Sequence, residues 1–289
     1  MEKNVLAVCA AVMFCAGIVS AQSVNEPKLY KIGNAEVRAI ADSTGEGGLG
    51  LFDGVDDKVL QKYVPGGAMK TAVMTFLIKT GKETIIVDTG YGQGLMAGLA
   101  KLKVKPEDIT IVLITHMHGD HIGGLISGGK AAFPNAKIKI GRIERDFWLN
   151  DESVSKFPAR KNNFDMAKRV AEVYGAAVEV FEFGGEIVPG ITSMDSRGHT
   201  PGHTAYMLES DGKKLLFIGD IINAAAVQMP RPDISSRYDM DPKQAALTRE
   251  KILSIAAKDN LEIAGAHLFF PGIGGVKSNK EKGYELRTE

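Results

Sequence analysis

The stretch "ITHMHGDHIGG", residues 114–124, decides how the rest of the chain is read. The chain has 289 residues and only six histidines, and three of these, His116, His118 and His121, fall here around Asp120. The run leading into it, "DITIVLITH", is an apolar strand pattern that delivers His116 at its tip. From an extended backbone, the i, i+2 spacing points His116 and His118 toward a common centre. Asp120 and His121 then turn toward a second one. Gly119, Gly123 and Gly124 permit the sharp turns and close backbone approach that this requires. The competing reading is a polar turn of hydrogen-bonded histidines, and the density of ligating side chains argues against it. Four ligands packed this closely rarely complete a metal site alone, so partners are expected elsewhere.

The other histidines are His199 and His203 in "GHTPGHT" and His267 at the end of "LEIAGAH". Each lies in a glycine-containing turn or at a strand end. Asp88 closes the apolar run "ETIIVD", and Asp220 closes "KKLLFIGD". Strand-end carboxylates and histidines that converge on one rim supply enough ligands for two metals. Imidazoles and carboxylates without thiolates suit zinc and other borderline divalent ions. Two such ions about 3.5–4 Å apart can hold a bridging hydroxide and make a nucleophile near neutral pH. No Ser-His-Asp triad stands at recognisable spacing.

Outward from this centre the chain alternates strands and helices. A hairpin is predicted over residues 29–41, turning at Gly33-Asn34, and a glycine-rich loop over "DSTGEGGLGLFDG", residues 42–54. Residues 71–88 read as strand, turn, strand, and residues 91–105 contain a helix. "AKIKIG" is a short strand, and residues 142–150 and 162–175 are helical. "EIVPGITSMDS" is a strand interrupted by a Pro-Gly turn, and a second hairpin turns at Asp211-Gly212. The clearest amphipathic helix is "DPKQAALTREKILSIAAKDN", with Asp241 as cap and Pro242 in its first turn. The mixture predicts an α/β fold of two sheets covered by helices, as one domain.

The amino terminus differs. Lys3 precedes the apolar run "VLAVCAAVMFCAGIVSA", and Val19-Ser20-Ala21 places small residues before Gln22. Residues 1–21 read as a signal peptide cleaved after Ala21, leaving residues 22–289 as a single domain exported across the inner membrane, to a periplasm. An uncleaved anchor is the rival reading, but the run is short for a full span. Both cysteines, Cys9 and Cys15, lie in this segment. The mature chain would therefore have no disulfide, thiolate nucleophile or cysteine ligand. Lysine plus arginine and aspartate plus glutamate each number 35, so net charge gives no reason to expect nucleic acid or an anionic membrane as partner. A small-molecule substrate is the partner expected.

"THMHGDHIGG" resembles the metal signature of the metallo-β-lactamase superfamily, whose fold is a four-layer αββα sandwich. More closely, "VDTG", "AFPNA", "DFWL", "GHTPGHT", "GDI", "AAAVQ" and "AHLFFPGIGG" resemble the methyl parathion hydrolase group over Leu29 to Leu286. The resemblance implies that His116, His118 and His199 bind a first metal, that Asp120, His121 and His267 bind a second, and that Asp220 bridges them. It implies that Asp88 fixes a ligand or its loop from behind, and that His203 orients a neighbour rather than binding metal. Asp120 and Asp220 are thus the carboxylates at the reaction centre. The cofactor implied is a pair of divalent ions, zinc first among them. The activity implied is attack of the bridging hydroxide on a phosphotriester or aryl ester. Related enzymes also suggest a homodimer.

Phe147, Trp148 and Phe269 are candidates for an apolar substrate pocket, with core packing as the competing reading. Arg197 and Arg231 are candidates for an anion contact, although isolated arginines usually sit at the surface. Two departures matter. Gly119 stands where the resembling phosphotriesterases tend to have proline, and Asp220 is followed by "IIN" rather than by the tyrosine of many acyl-homoserine lactonases. Lactone hydrolysis is the alternative activity and a noncatalytic metal-binding protein the rival class. β-Lactam hydrolysis fits poorly with "GHTPGHT". A flavin-linked di-iron protein fits poorly with the histidine at position 118.

Overall fold

The computed structural model describes residues 25–288 apart from 53 and 282, so the predicted signal peptide lies outside the described residues. Two seven-stranded sheets face each other. The first has the order Lys28–Ile32, Ala35–Gly48, Ala68–Lys79, Thr84–Val87, Ile111–Ile114, Lys137–Gly141, Val178–Phe181. The second has the order Glu186–Val188, Ile191–Asp195, Thr204–Ser210, Lys213–Gly219, Glu262–Gly265, Ile273–Ser278, Tyr284–Arg287.

Strand patterns explain the layers. Met74, Phe76 and Ile78 face the second sheet, while Leu77 between them faces helices. Ile111 and Leu113 turn inward, whereas Val112 and Ile114 turn outward, so "IVLI" is apolar throughout because both its faces are covered. Phe217, Tyr206 and Ile273 complete the layer between the sheets. Leu95, Phe164 and Val170 from helices Gln93–Lys101 and Lys161–Tyr174 cover the first sheet. Ile252, Leu253 and Ala256 from helix Pro242–Lys258 cover the second. The result is the expected αββα sandwich. Burying each such Val, Leu, Ile or Phe contributes roughly 1.5–3 kcal/mol relative to exposure. Among the described residues no helix is long and apolar enough to cross a membrane.

Turn chemistry follows the sequence. Asp211 and Gly212 both have positive φ, 48° and 71°, which suits the right-handed twist of the hairpin they close. The Asp241 side chain accepts from the Gln244 backbone N–H at 3.0 Å and caps the long helix, as expected.

The predicted loop over residues 42–54 needs correction. Strand Ala35–Gly48 runs through most of it and stays paired, Gly45 with Thr71 and Gly48 with Ala68. Glycine weakens an isolated strand, but the long partner Ala68–Lys79 supplies the ladder here. The register shifts between Ala41 and Ser43, leaving Asp42 as the extra residue. Its carboxylate accepts from the backbone N–H of Tyr91, Gly92 and Leu95 at 2.8–3.1 Å, which ties this strand to the start of helix Gln93–Lys101.

Candidate metal centre

Strand Ile111–Ile114 ends where Thr115 and His116 emerge at the rim, and the next residues coil into the short helix Gly119–Ile122. Strand Thr84–Val87 ends alongside at Asp88, which is held at φ 55°. That left-handed conformation is uncommon for a non-glycine residue, and its contacts over-determine it. Asp88 Oδ1 accepts the Thr115 backbone N–H, and Oδ2 accepts both the Thr115 hydroxyl and His121 Nδ1–H, all at 2.8 Å. Asp88 thus sits behind two histidines. It reaches His121 directly, and it reaches His116 through Thr115 Oγ1, which lies 3.1 Å from His116 Nδ1.

Three imidazole nitrogens converge. His116 Nε2 and His199 Nε2 lie 3.0 and 3.1 Å from His118 Nδ1. A second group comprises Asp120, His121 and His267, and His121 also groups with His116 and Asp220. Asp220 stands between the groups. Its Oδ2 is 3.3 Å from His199 Nε2 and 3.0 Å from His267 Nε2, while its Oδ1 is 3.0 Å from His121 Nε2. The structure therefore brings all seven sequence-predicted ligands into one cluster.

Tautomers test whether metal fits. A carboxylate or carbonyl can only accept, so His199 Nδ1–H donates to Asp239 and His267 Nδ1–H donates to the Ala72 carbonyl, both at 2.8 Å. His121 is fixed the same way by Asp88. Thr115 spends its own proton on Asp88, so its oxygen accepts from His116. These four rings consequently turn Nε2 toward the cluster, the nitrogen left to bind a cation or, without one, a proton. One proton on His118 Nδ1 can satisfy His116 or His199, but not both. His121 Nε2 and Asp220 Oδ1 face each other at 3.0 Å, buried and without a hydrogen bond among the described residues. Divalent cations would satisfy these atoms together with His118 Nδ1 and the Nε2 atoms of His116 and His199; His118 Nε2, also without a partner among the described residues, points away from that set. Nitrogens sharing a tetrahedral ion of zinc's size would stand about 3.3 Å apart, close to the separations seen.

Charge balance agrees. Burial lowers His116 and His118 well below the usual histidine range, with neighbouring imidazoles adding to the effect. Burial also pulls on His121 and His267, but Asp220 with Asp88 or Asp120 outweighs it and raises both. Burial alone would raise Asp220, but His267, His121, His199 and His116 hold it ionised. Asp120 is likewise held low, by His121 and His267.

His203 is fully buried but does not join the ligating groups. Its Nε2 accepts the Asp220 backbone N–H at 3.0 Å, so Nδ1–H faces Ser196 Oγ at 2.8 Å. Burial lowers its pKa to about 3. It orients Asp220 from behind. Gly219 must be glycine here, because its φ is 51° and a Cβ would collide with the His203 ring.

The aromatic candidates fare differently. Trp148 is fully buried, packs on Phe147 and Phe164, and meets the edge of His118 at 5.5 Å between ring centroids. Neither Phe147 nor Trp148 lines the cleft above the centre, so the pocket reading is corrected: helix Arg142–Trp148 turns these rings into the core beneath the first sheet. Phe269 is exposed and lines a side groove that His267 shares with the main cleft. Arg197 and Arg231 are spent on Asp195 and Asp233, and neither lines the cleft.

Several important residues escaped the sequence reading. Glu144 is fully buried and accepts four hydrogen bonds, from the backbone N–H of Met117, Trp148 Nε1, Thr200 Oγ1 and the backbone N–H of Gly202, at 2.6–2.9 Å. It thereby ties the loop carrying His116 and His118 to the loop carrying His199. Asp239 backs His199 and is paired with the fully buried Arg249 at 3.1 Å. Asn223 donates to Asp220 Oδ2 at 3.0 Å. Only Glu144 left a trace: its i, i+4 spacing to Trp148 puts an acid on the apolar face of a helix.

Fold and site together define a class, the metal-dependent hydrolases built on two facing sheets. The chain belongs to the metallo-beta-lactamase superfamily, whose family model matches residues 69–267. Among solved structures, it is similar to the hydrolase AbOPH of the beta lactamase superfamily, with 31% identity, a TM-score of 0.84, and 93% of this chain and 99% of that one covered. It is also similar to AidC, a dizinc quorum-quenching lactonase, with 26% identity, a TM-score of 0.82, and 93% of this chain and 99% of that one covered. An N-acyl homoserine lactonase of Bacillus cereus is 25% identical over 181 residues, 53% of this chain and 65% of that protein. The beta-lactamase-like protein 2 homolog of Caenorhabditis elegans is 31% identical over 166 residues, 55% of this chain but only 47% of that protein.

Proposed function

We propose that the chain is a hydrolase that cleaves an ester-type bond, in a phosphotriester or an aryl ester, with two divalent ions, zinc by preference, held by the seven converged residues. One observation carries this reading: Asp220 stands between two ligand groups on the floor of an open cleft of about 950 Å³. Bound there, the ions supply a water activated near neutral pH and charge stabilisation for the oxygen of the scissile group.

The chain's own residues prepare that chemistry. His116, His118 and His199 would hold one ion, Asp120, His121 and His267 the other, and Asp220 would be shared between them. Asp88, Thr115, Asp239 and the Ala72 carbonyl lock the imidazoles in the ligating tautomer. Asp120, the ligand carboxylate more open to the cleft, is held ionised and so accepts a hydrogen bond at Oδ2 rather than donating one. Tyr91 lines the same cleft, and its hydroxyl is pushed up to about 12 by desolvation and by Asp120. It therefore stays a donor at neutral pH and can meet a leaving oxygen.

The motif resemblance to the methyl parathion hydrolase group supports the phosphotriester reading, and the likeness to AidC supports lactone hydrolysis as the second reading. The test uses purified protein on matched phosphotriester, aryl-ester and lactone panels, before and after chelation and metal restoration. Two ions per chain with turnover restored by metal is the expected result, and the fastest panel fixes the bond. Two bound ions with no turnover on any panel would sink the hydrolase reading in favour of a metal-binding protein. Export through residues 1–21 and assembly as a homodimer belong to the same proposal. Their checks are the amino-terminal sequence of the exported protein and its mass in solution.

A further inference from the structure

We propose that the cleft selects substrates that already carry a negative charge: esters or lactones bearing a free carboxylate or phosphate remote from the bond to be cut. This rests on the hydrolase reading above and names its substrate class.

The chain as a whole is balanced, with 35 basic and 35 acidic residues. The cleft is not. Among the described residues, Asp120 and Asp220 are its only acidic lining residues, and both belong to the ligand cluster. Every other charge that lines it is basic: Lys70, Arg160 and Arg237. Asn162 and Asn163 add uncharged amides beside Arg160. The walls thus carry a net positive field of their own among the described residues. A concave, low-dielectric wall focuses such a field toward the incoming ligand.

Arg160 is the best-placed recognition group. It ends the short turn Pro158–Arg160 and is only partly exposed. Its hydrogen bond among the described residues runs from Nη2 to the Tyr238 carbonyl at 2.9 Å. That contact fixes the guanidinium and leaves most of its fork of donors for a ligand, in the planar geometry that suits a carboxylate or phosphate. Arg197 and Arg231, each bound to its own aspartate, show the contrasting surface arrangement. Lys70 has its ammonium over the Phe269 ring, 5.0 Å from the centroid, where the main cleft meets the side groove. A neutral substrate gains nothing from these cations and must displace their water. An anion gains from both.

The experiment compares 4-nitrophenyl acetate with the 4-nitrophenyl monoester of glutaric acid on the metal-loaded chain. Both release the same phenol, and only one carries a carboxylate. The expected result is a kcat/KM ratio of about ten or more in favour of the glutarate ester at low salt, shrinking as salt screens the cleft. Arg160→Gln should collapse that ratio mainly through KM, and Arg160→Lys should restore part of it. Equal rates on the two esters, or a ratio that Arg160→Gln leaves unchanged, would overturn the proposal.

Calorimetric binding of glutarate itself separates this proposal from the hydrolase reading. If neither ester turns over but glutarate binds and Arg160→Gln weakens it about tenfold, anion selection stands and the hydrolase reading falls. Glutarate binding that ignores Arg160, or no binding, overturns the anion site.

Discussion

His199 and His267 both present Nε2 to Asp220 Oδ2, at 3.3 and 3.0 Å, yet they are held in different ways. Behind His199 stand the buried carboxylate of Asp239 and, behind that, the buried guanidinium of Arg249. Glu144 braces the loop from the other side. Behind His267 stands a backbone carbonyl, that of Ala72. The His199 side chain is 2% exposed and the His267 side chain 13%, with Asp120 beside it at 23%. One half of the centre is thus built into the core by side chains from remote elements. The other half keeps His121 buried against Asp88, but its two remaining ligands, His267 and Asp120, are the more exposed ones, and His267 leans only on the backbone of a sheet strand. The first ion should therefore be the permanent one, and the second the one that exchanges and meets substrate.

Substitutions test that asymmetry directly. Asp220→Ala removes the residue common to both halves. Both ions should be lost, with turnover down about a thousandfold or more, equivalent to roughly 4 kcal/mol. Metal analysis showing two tightly held ions would refute the bridging assignment. Glu144→Gln keeps the shape but sets an amide N–H₂ against hydrogen-bond donors on one side. First-ion affinity should fall roughly 10- to 100-fold, while the second site changes less. Chelator competition that shows equal loss at both sites would erase the distinction. Asp239→Asn should weaken the same ion by about tenfold, because His199 loses a charged partner and Arg249 loses its counter-ion. Unchanged stepwise affinities would count against the support drawn from Asp239.

His203 gives a pH signature. Its pKa lies at about 3 in the folded chain against 6.5 for an ordinary histidine. Its contribution is therefore complete above 6.5 and is lost as pH falls toward 3. In chelated protein, the stability gap between wild type and His203→Asn should narrow from pH 7 to pH 4. A gap that widens would remove the neutral, Asp220-orienting role. The smallest effect is stabilising. Gly119 is the first residue of its short helix, its added Cβ would meet only Met166 at ordinary distance, and His118 before it is extended, at φ −73° and ψ 156°. Gly119→Pro should therefore raise stability by about 0.4–1 kcal/mol, seen as a higher Tm with both ions retained.

The ligands were legible in sequence because each lies at a strand end or in a short turn, where local pattern announces position. Their supports were not. Asp239 is 40 residues from His199 and reaches it through an irregular loop. No periodicity encodes that meeting. Trp148 was misplaced for a related reason: an aromatic near a motif reads as a pocket wall, but the helix face decides, and that face points inward. The strand through residues 42–48 was missed because glycine content argues for a loop, whereas the pairing that overrides it comes from a partner distant in sequence.

Those glycines leave a bare strip beside the ligand cluster. Gly45 and Gly47 border the cleft with backbone alone, and a Cβ on either would touch only the Thr71 methyl at 4.0 Å, while one on Gly48 would touch nothing. None is held at positive φ. A single-codon change there can add a wall to the cleft without disturbing a ligand, a turn or the core. Side chains placed on that strip would therefore reshape the cleft beside the reactive centre and change which substrates fit, with every ligand left in place.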